Sequence, residues 1–126
     1  MTRRSVGSGA AWETRYGYRR AVAVGDSAWV AGTTASSRGT PPDPDAAAQA
    51  RAAFGIALEA LAELGFPPAA VVRTKMYLTD IDDADAVGQV HGEIFADVMP
   101  VATMVAVRAL VDPALLVEVE LEARRA

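Results

Sequence analysis

From Pro100 to Glu122 the chain reads PVATMVAVRALVDPALLVEVELE, and its last six residues, Val117 to Glu122, alternate strictly between apolar and acidic. Successive side chains of a strand point to opposite faces. This stretch therefore predicts a strand that sends Val117, Val119 and Leu121 to one side and three carboxylates to the other. A row of like charges on one face requires either water or a function. A second strand is predicted just after Pro100. Upstream, Arg20 to Val24 and Ala28 to Thr33 flank the turn signal Gly25-Asp26-Ser27, the pattern of a hairpin. Ala46 to Leu64 is alanine-rich, and Phe54, Ala57, Leu58, Leu61 and Leu64 form one stripe at helical spacing. Asp45 is its candidate N-cap, and Gly65 followed by Pro67 and Pro68 its stop. Val71 to Thr79 reads as a strand. Asp83 to Asp97 reads as a second helix, capped by Asp80 or Asp82, with Ala84, Val87, His91, Ile94 and Phe95 on its apolar face. Ser36 to Asp45 is a loop by composition, and residues 1–15 form a partly irregular N-terminal arm.

The predicted order is β-β-α-β-α-β-β within one domain spanning 1–126. Two long helices among five strands in so short a chain predict an α+β fold, with one mixed sheet and both helices on one face. The other sheet face is then left open, and its apolar residues favour an oligomer.

Composition narrows the function classes. The 52% of apolar residues is that of a globular chain rather than a disordered one. With no cysteine, disulfides, thiolate metal sites and a cysteine nucleophile are excluded. No stretch has the length of a signal-peptide core or of the roughly 20 apolar residues that span a membrane. A cytoplasmic protein with no membrane partner is the expectation. The net charge of −4, with arginines scattered along the chain, argues against a nucleic-acid partner. His91 is the single histidine and falls among apolar residues, so a packed histidine is expected and no metal site. The Asp80, Asp82, Asp83 and Asp85 cluster lacks the spacing of a calcium loop, and helix capping is the simpler account. Ser36-Ser37 has no partners for a serine triad.

Five segments resemble the Rid family (reactive intermediate deaminase, or YjgF-type) over about Tyr16 to Glu122. The family's Gly-Pro-Tyr-Ser-Gln-Ala-Val opening stands as Tyr16 to Val22, and its Val-Ser-Gly-Gln step as Val30-Ala31-Gly32-Thr33. Its Val-Val-Lys-Thr-Thr-Val-Phe-Leu-Thr-Asp strand stands as Val71 to Asp80. Its Phe helix end and Pro-Ala-Arg-Ser stand as Phe95 to Thr103, and its Val-Glu-Ile-Glu as Val117 to Glu120. The resemblance implies a chorismate-mutase-like fold, a homotrimer and a small-molecule ligand in clefts between subunits. It implies hydrolysis of enamines or imines to a carbonyl compound and ammonia, with no cofactor.

On the same footing, Glu118 is the catalytic candidate for proton transfer, and Tyr18, Gly32, Thr33, Ala102, Thr103 and Met104 are the candidate substrate-binding residues. Read without the resemblance, Glu118 is one carboxylate of a solvated face, Tyr18 a half-buried aromatic beside the hairpin, and Gly32 a strand bulge. Ala102 occupies the place of the family arginine that pairs with a substrate carboxylate, and alanine cannot do this. Arg108 shares the strand parity of Ala102 but lies roughly 20 Å further along a strand. Arg20 replaces the family glutamine, and entry of Arg19 or Arg20 into the pocket is left open. The alternative is a non-catalytic small-molecule binder or pathway accessory protein with the same trimeric fold. An endoribonuclease or translation inhibitor is a third reading, against which the acidic charge counts.

Overall fold

In the computed structural model, which describes residues 1–126, the alternating strand near the end of the chain lies inside the sheet. The elements run β1 (Arg3–Val6), α1 (Ala11–Tyr16), β2 (Ala21–Val24), β3 (Ser27–Thr33), α2 (Ala46–Glu63), β4 (Val71–Leu78), α3 (Ala84–Phe95), β5 (Val101–Ala106) and β6 (Val117–Arg124). Short 3-10 turns at Pro68–Ala70 and Ile81–Asp83 lead into β4 and α3. The six strands are ordered β1-β2-β3-β6-β4-β5. All neighbours are antiparallel except β4 and β5, which α3 connects as a parallel pair. This is the mixed α+β architecture expected, with α2 and α3 on one face.

That face forms the core because the alternation of each strand delivers it. Val117, Val119, Leu121 and Ala123 of β6 are buried together with Ala28 and Val30 of β3 and Met76 and Leu78 of β4. Helix α2 lays Ala50, Ala53, Phe54, Ala57 and Leu61 over them. The alanines on both sides leave little side-chain bulk between helix and sheet, and Phe54 and Phe95 fill the gap between α2 and α3 with an edge-to-face contact at 5.4 Å. His91 joins them. It shares a 2.8 Å hydrogen bond with the fully buried Thr74 hydroxyl, and burial holds its pKa below 6.5, so the neutral ring is favoured.

The ends of α2 follow their sequence signals. Asp45 accepts a hydrogen bond from the Ala48 amide at 2.9 Å. At the other end Gly65 takes a φ of 86°, its amide bonds to Ala62 O, and the Phe66 amide bonds to Leu61 O. This is the paired closure that a left-handed glycine permits. The cap expected for α3 is not made there: Asp80 accepts from the Asp82 amide at the head of the 3-10 turn, and the residue before α3 is Asp83, whose side chain makes no cap bond.

The structure also departs from expectation in the arm and after Pro100. The arm is more ordered than predicted, because β1 pairs with β2 from Arg3↔Val24 to Val6↔Ala21 and α1 follows it. Backbone pairing at a sheet edge needs no apolar alternation, and a six-residue helix is too short to show a period. The strand after Pro100 also ends at Ala106, so Arg108 lies beyond it and strand parity does not govern its direction.

Gln49 links α2 to the loop before β6. It is fully buried, its Nε2 donates to Asp43 O and Ala114 O, and its Oε1 accepts from the Leu116 amide at 2.8 Å. Gln49→Leu keeps the volume but leaves these backbone groups unmet. Urea unfolding of that variant is expected to show a loss of about 3 kcal/mol.

Candidate active site

The site is built where β3 and β6 fall out of register. Their pairing runs from Ser27↔Arg124 to Val30↔Leu121 and resumes at Thr33↔Val119. Ala31 and Gly32 therefore oppose Glu120 alone, which is a β-bulge. The bulge turns Val30 and Thr33 both toward the helices. Thr33 is fully buried, with its hydroxyl donating to Ala31 O at 2.8 Å, so its side chain belongs to the core and not to the site. Gly32 faces Glu118 so closely that a Cβ built on it would overlap Glu118 Oε2 and stand 3.0 Å from its Cδ. Only glycine lets the carboxylate lie against this backbone.

The three carboxylates of β6 have different surroundings, because β4 offers Arg73, Lys75 and Tyr77 on the same face. Arg73 Nε pairs with Glu122 at 2.9 Å. The Tyr77 hydroxyl donates to Glu120 at 3.1 Å. Glu118 is opposite Tyr77 but has no hydrogen bond or ion pair within the chain. Burial raises its pKa above 4.5, the charge of Glu120 adds to this, and Arg20 opposes it. Burial raises the Tyr77 pKa too, and the neighbouring Glu120 and Glu118 carboxylates add to the shift.

Glu118 opens into a cleft of about 650 Å³ lined by Trp12, Tyr18, Arg20, Gly32, Thr34 and Leu115, among others. Its size is that of a small-ligand site. Tyr18 and Gly32 also border an adjoining hollow of about 720 Å³ that reaches Trp29 and Glu120. Thr34 stands in the cleft where Thr33 was expected. Its Oγ1 accepts from the Ser36 amide and its own amide bonds Ser37 Oγ, so the turn after β3 is tied to the cleft wall. Trp12 arrives on α1, which had no sequence signal beyond its aromatic residues. Glu13 of α1 is buried below. Burial alone would raise its pKa, but two hydrogen bonds from Ser8, with Arg20 and Arg19 nearby, hold it below 4.5.

Ala102, Thr103 and Met104 do not join this cleft within one chain. β5 lies two strands from β6. Ala102 and Met104 are in register with Thr74 and Met76 on the helix side, and Met104 touches the surface of α3 beside Gly88. Thr103 is on the open face beside Lys75, at the sheet edge. Thus Tyr18, Gly32 and Glu118 come together, and the β5 residues stay apart. No three His, Asp or Glu side chains are arranged to share a metal ion, and no helix is long and apolar enough to cross a membrane.

The comparisons with known proteins agree with this architecture. A family model described as Endoribonuclease L-PSP matches residues 8–125. An uncharacterized protein of Streptomyces coelicolor is 45% identical over 128 residues, covering 97% of this chain and 92% of its own. A crystal structure from Mycobacterium tuberculosis, described as a member of the YjgF/YER057c/UK114 family, is 43% identical. It covers 98% of this chain and 100% of its own, with a TM-score of 0.91. A Rid-family protein from Yersinia pestis shares the fold at a TM-score of 0.85 with 20% identity, over 98% of this chain and 100% of its own.

The raised pKa of Glu118 gives a stability test. The folded chain keeps the Glu118 proton to higher pH than the unfolded chain, so stability falls as pH rises through the interval between the two values. Glu118→Gln removes that penalty. The variant is expected to melt at a higher temperature than the parent at about pH 8, with the difference closing as pH falls toward 4.5. Equal melting temperatures across the range would contradict the raised value.

Proposed function

Because the chain belongs to the Endoribonuclease L-PSP family, also named YjgF or Rid, we propose that its cleft hydrolyses the C=N bond of a small imine or enamine tautomer, releasing a carbonyl compound and ammonia. The observation that carries this reading is Glu118, the carboxylate of β6 that the fold leaves unpaired in a cleft with its pKa raised. A carboxyl held above its ordinary pKa keeps its proton to higher pH, which suits it to give and retake a proton in catalysis.

The proton bookkeeping closes on this one group. Protonated Glu118 gives its proton to the imine nitrogen, which makes the carbon more electrophilic. As a water oxygen bonds to that carbon, the Glu118 carboxylate takes the proton that water sheds, giving a carbinolamine. Glu118 then protonates the amino group. The C–N bond breaks, ammonia leaves, and the hydroxyl proton returns to Glu118 as the carbonyl forms. One water is consumed and Glu118 ends as it began. Tyr18 and the Gly32 backbone border the space where the reacting carbon would lie.

The reading includes a homotrimer in which a neighbouring copy's β5 edge, with Ala102, Thr103 and Met104, completes the cleft. What supports it is the separation of these residues from Glu118 within one chain, and the exposed Val101, Val105 and Trp29 on the open sheet face. A second reading is favoured by one residue. Ala102 stands where the family resemblance puts an arginine, and a pocket without it suits a non-catalytic binder.

An assay decides between the two. An amino-acid or amine oxidase generates the imine in place, and release of the carbonyl product is followed against a competing nucleophile. The protein is expected to accelerate release, and Glu118→Gln to lower the rate by about 100-fold or more while remaining folded. Acceleration by the folded Gln variant equal to the parent would remove Glu118 from the mechanism; no acceleration by the parent would leave the binder. Light scattering is expected to give three times the 13.2 kDa chain mass.

A further inference from the structure

The cleft contains a second unusual group. Arg20 is only 8% exposed, yet its guanidinium has no carboxylate within ion-pairing distance. Its Nη2 donates to Gly32 O at 2.6 Å, and its Nε is sealed from solvent with no acceptor at all. Nη1 has no protein acceptor either, and it is not sealed. An arginine does not lose its proton in a protein, and a buried cation without a partner is costly. A neutral donor would serve for the Gly32 bond, so that bond does not account for the charge. The nearest compensation acts only through space, from Glu13 and Glu118.

Arg20 lines the same cleft as Glu118, Tyr18 and Trp12, and β2 begins at the next residue, so its backbone is held by the sheet. The hydroxyls of Ser8, Ser36 and Ser37 border the same space, and Asp112 is the other acidic residue that lines it. We propose that Arg20 is the anion receptor of this cleft and takes the carboxylate of the ligand, so that the imines accepted are those of 2-oxo acids.

This rests on the reaction assigned above, and it reverses the inference that Ala102 alone would suggest. Loss of an arginine from β5 does not leave the site neutral, because another has entered from the start of β2. The anchor and the proton-transfer group are then both in one chain. Arg20 holds Gly32 through its carbonyl while Glu118 lies against the same glycine, so one residue of the bulge brings the two groups to the same part of the cleft. A bound carboxylate neutralises the guanidinium that opposes the raised Glu118 pKa, which favours the protonated acid when substrate is present.

Calorimetric titration with phenylpyruvate and with phenylacetone, which replaces the carboxylate by a methyl group, tests the assignment on the unaltered protein. The expected result is that phenylpyruvate binds at least about 30-fold more tightly. Arg20→Met is expected to reduce that ratio to within about threefold. Arg20→Lys keeps the charge but not the planar fork and should retain part of it. Arg19→Met is the control for general charge, since Arg19 lies outside this cleft, and it should leave the ratio unchanged. Melting curves establish that each variant is folded, and the wild-type ratio with the Lys variant decides if the Met variant is not. Equal binding of both ligands, no binding of phenylpyruvate, or an unchanged ratio in folded Arg20→Met overturns the proposal. Failure of the reaction itself looks different, with Arg20-dependent phenylpyruvate binding intact and no acceleration of imine hydrolysis.

Discussion

The two-faced strand Val117–Arg124 is the constraint on which the rest depends. It pairs with β3 on one side and β4 on the other, so every other strand joins the sheet through it or its neighbours. Its apolar residues are almost wholly buried under α2, and its carboxylates stand on the opposite face. A slip of one residue would exchange the two sets and put Glu118 into the core. The register that builds the core is thus the register that aims the site, and the two cannot be changed independently.

Small side chains let this arrangement close. Alanines dominate the face that α2 turns to the sheet, where Ala28 and Ala123 add to them, and the helix approaches near enough for Gln49 to bond the backbone of the loop entering β6. The same economy of bulk recurs on the other face, where Gly32 admits the Glu118 carboxylate against the backbone. The proposed reacting group is therefore carried by a central strand and not by a loop, and its supports are backbone contacts that packing already fixes. The remaining walls, Trp12 on α1 and Thr34 in the turn after β3, come from peripheral segments.

Electrostatics distinguishes residues that the pattern leaves equivalent. Glu122 meets Arg73, Glu120 meets the Tyr77 hydroxyl, and Glu118 meets neither. Across the cleft the buried Arg20 lacks an ion-pair partner as Glu118 lacks a hydrogen bond. The attraction between them acts through space, and each remains available to a third body. Family membership supplies the architecture in which this happens, but one fold supports many chemistries. What sets this cleft apart is these two side chains and the glycine between them.

The main elements and their faces are legible in the chain alone. Strict alternation in Val117 to Glu122, the helical stripe of Phe54, Ala57, Leu61 and Leu64, and the end signals at Asp45 and Gly65 each act within a few residues, so local order encodes them. Glu118, Tyr18 and Gly32 were legible as candidates through ordered motifs. Tertiary structure alone decided which of these residues meet. It realised the bulge that Gly32 offered, and with it turned Thr33 into the core and brought Thr34 to the cleft. It carried Ala102 and Met104 to the helix side of a distant strand, and it paired an arm without periodicity to the hairpin edge. It also buried Arg20 without a counterion. Strand pairing, desolvation and the reach of a charge depend on residues far apart in the chain, and no local pattern records them.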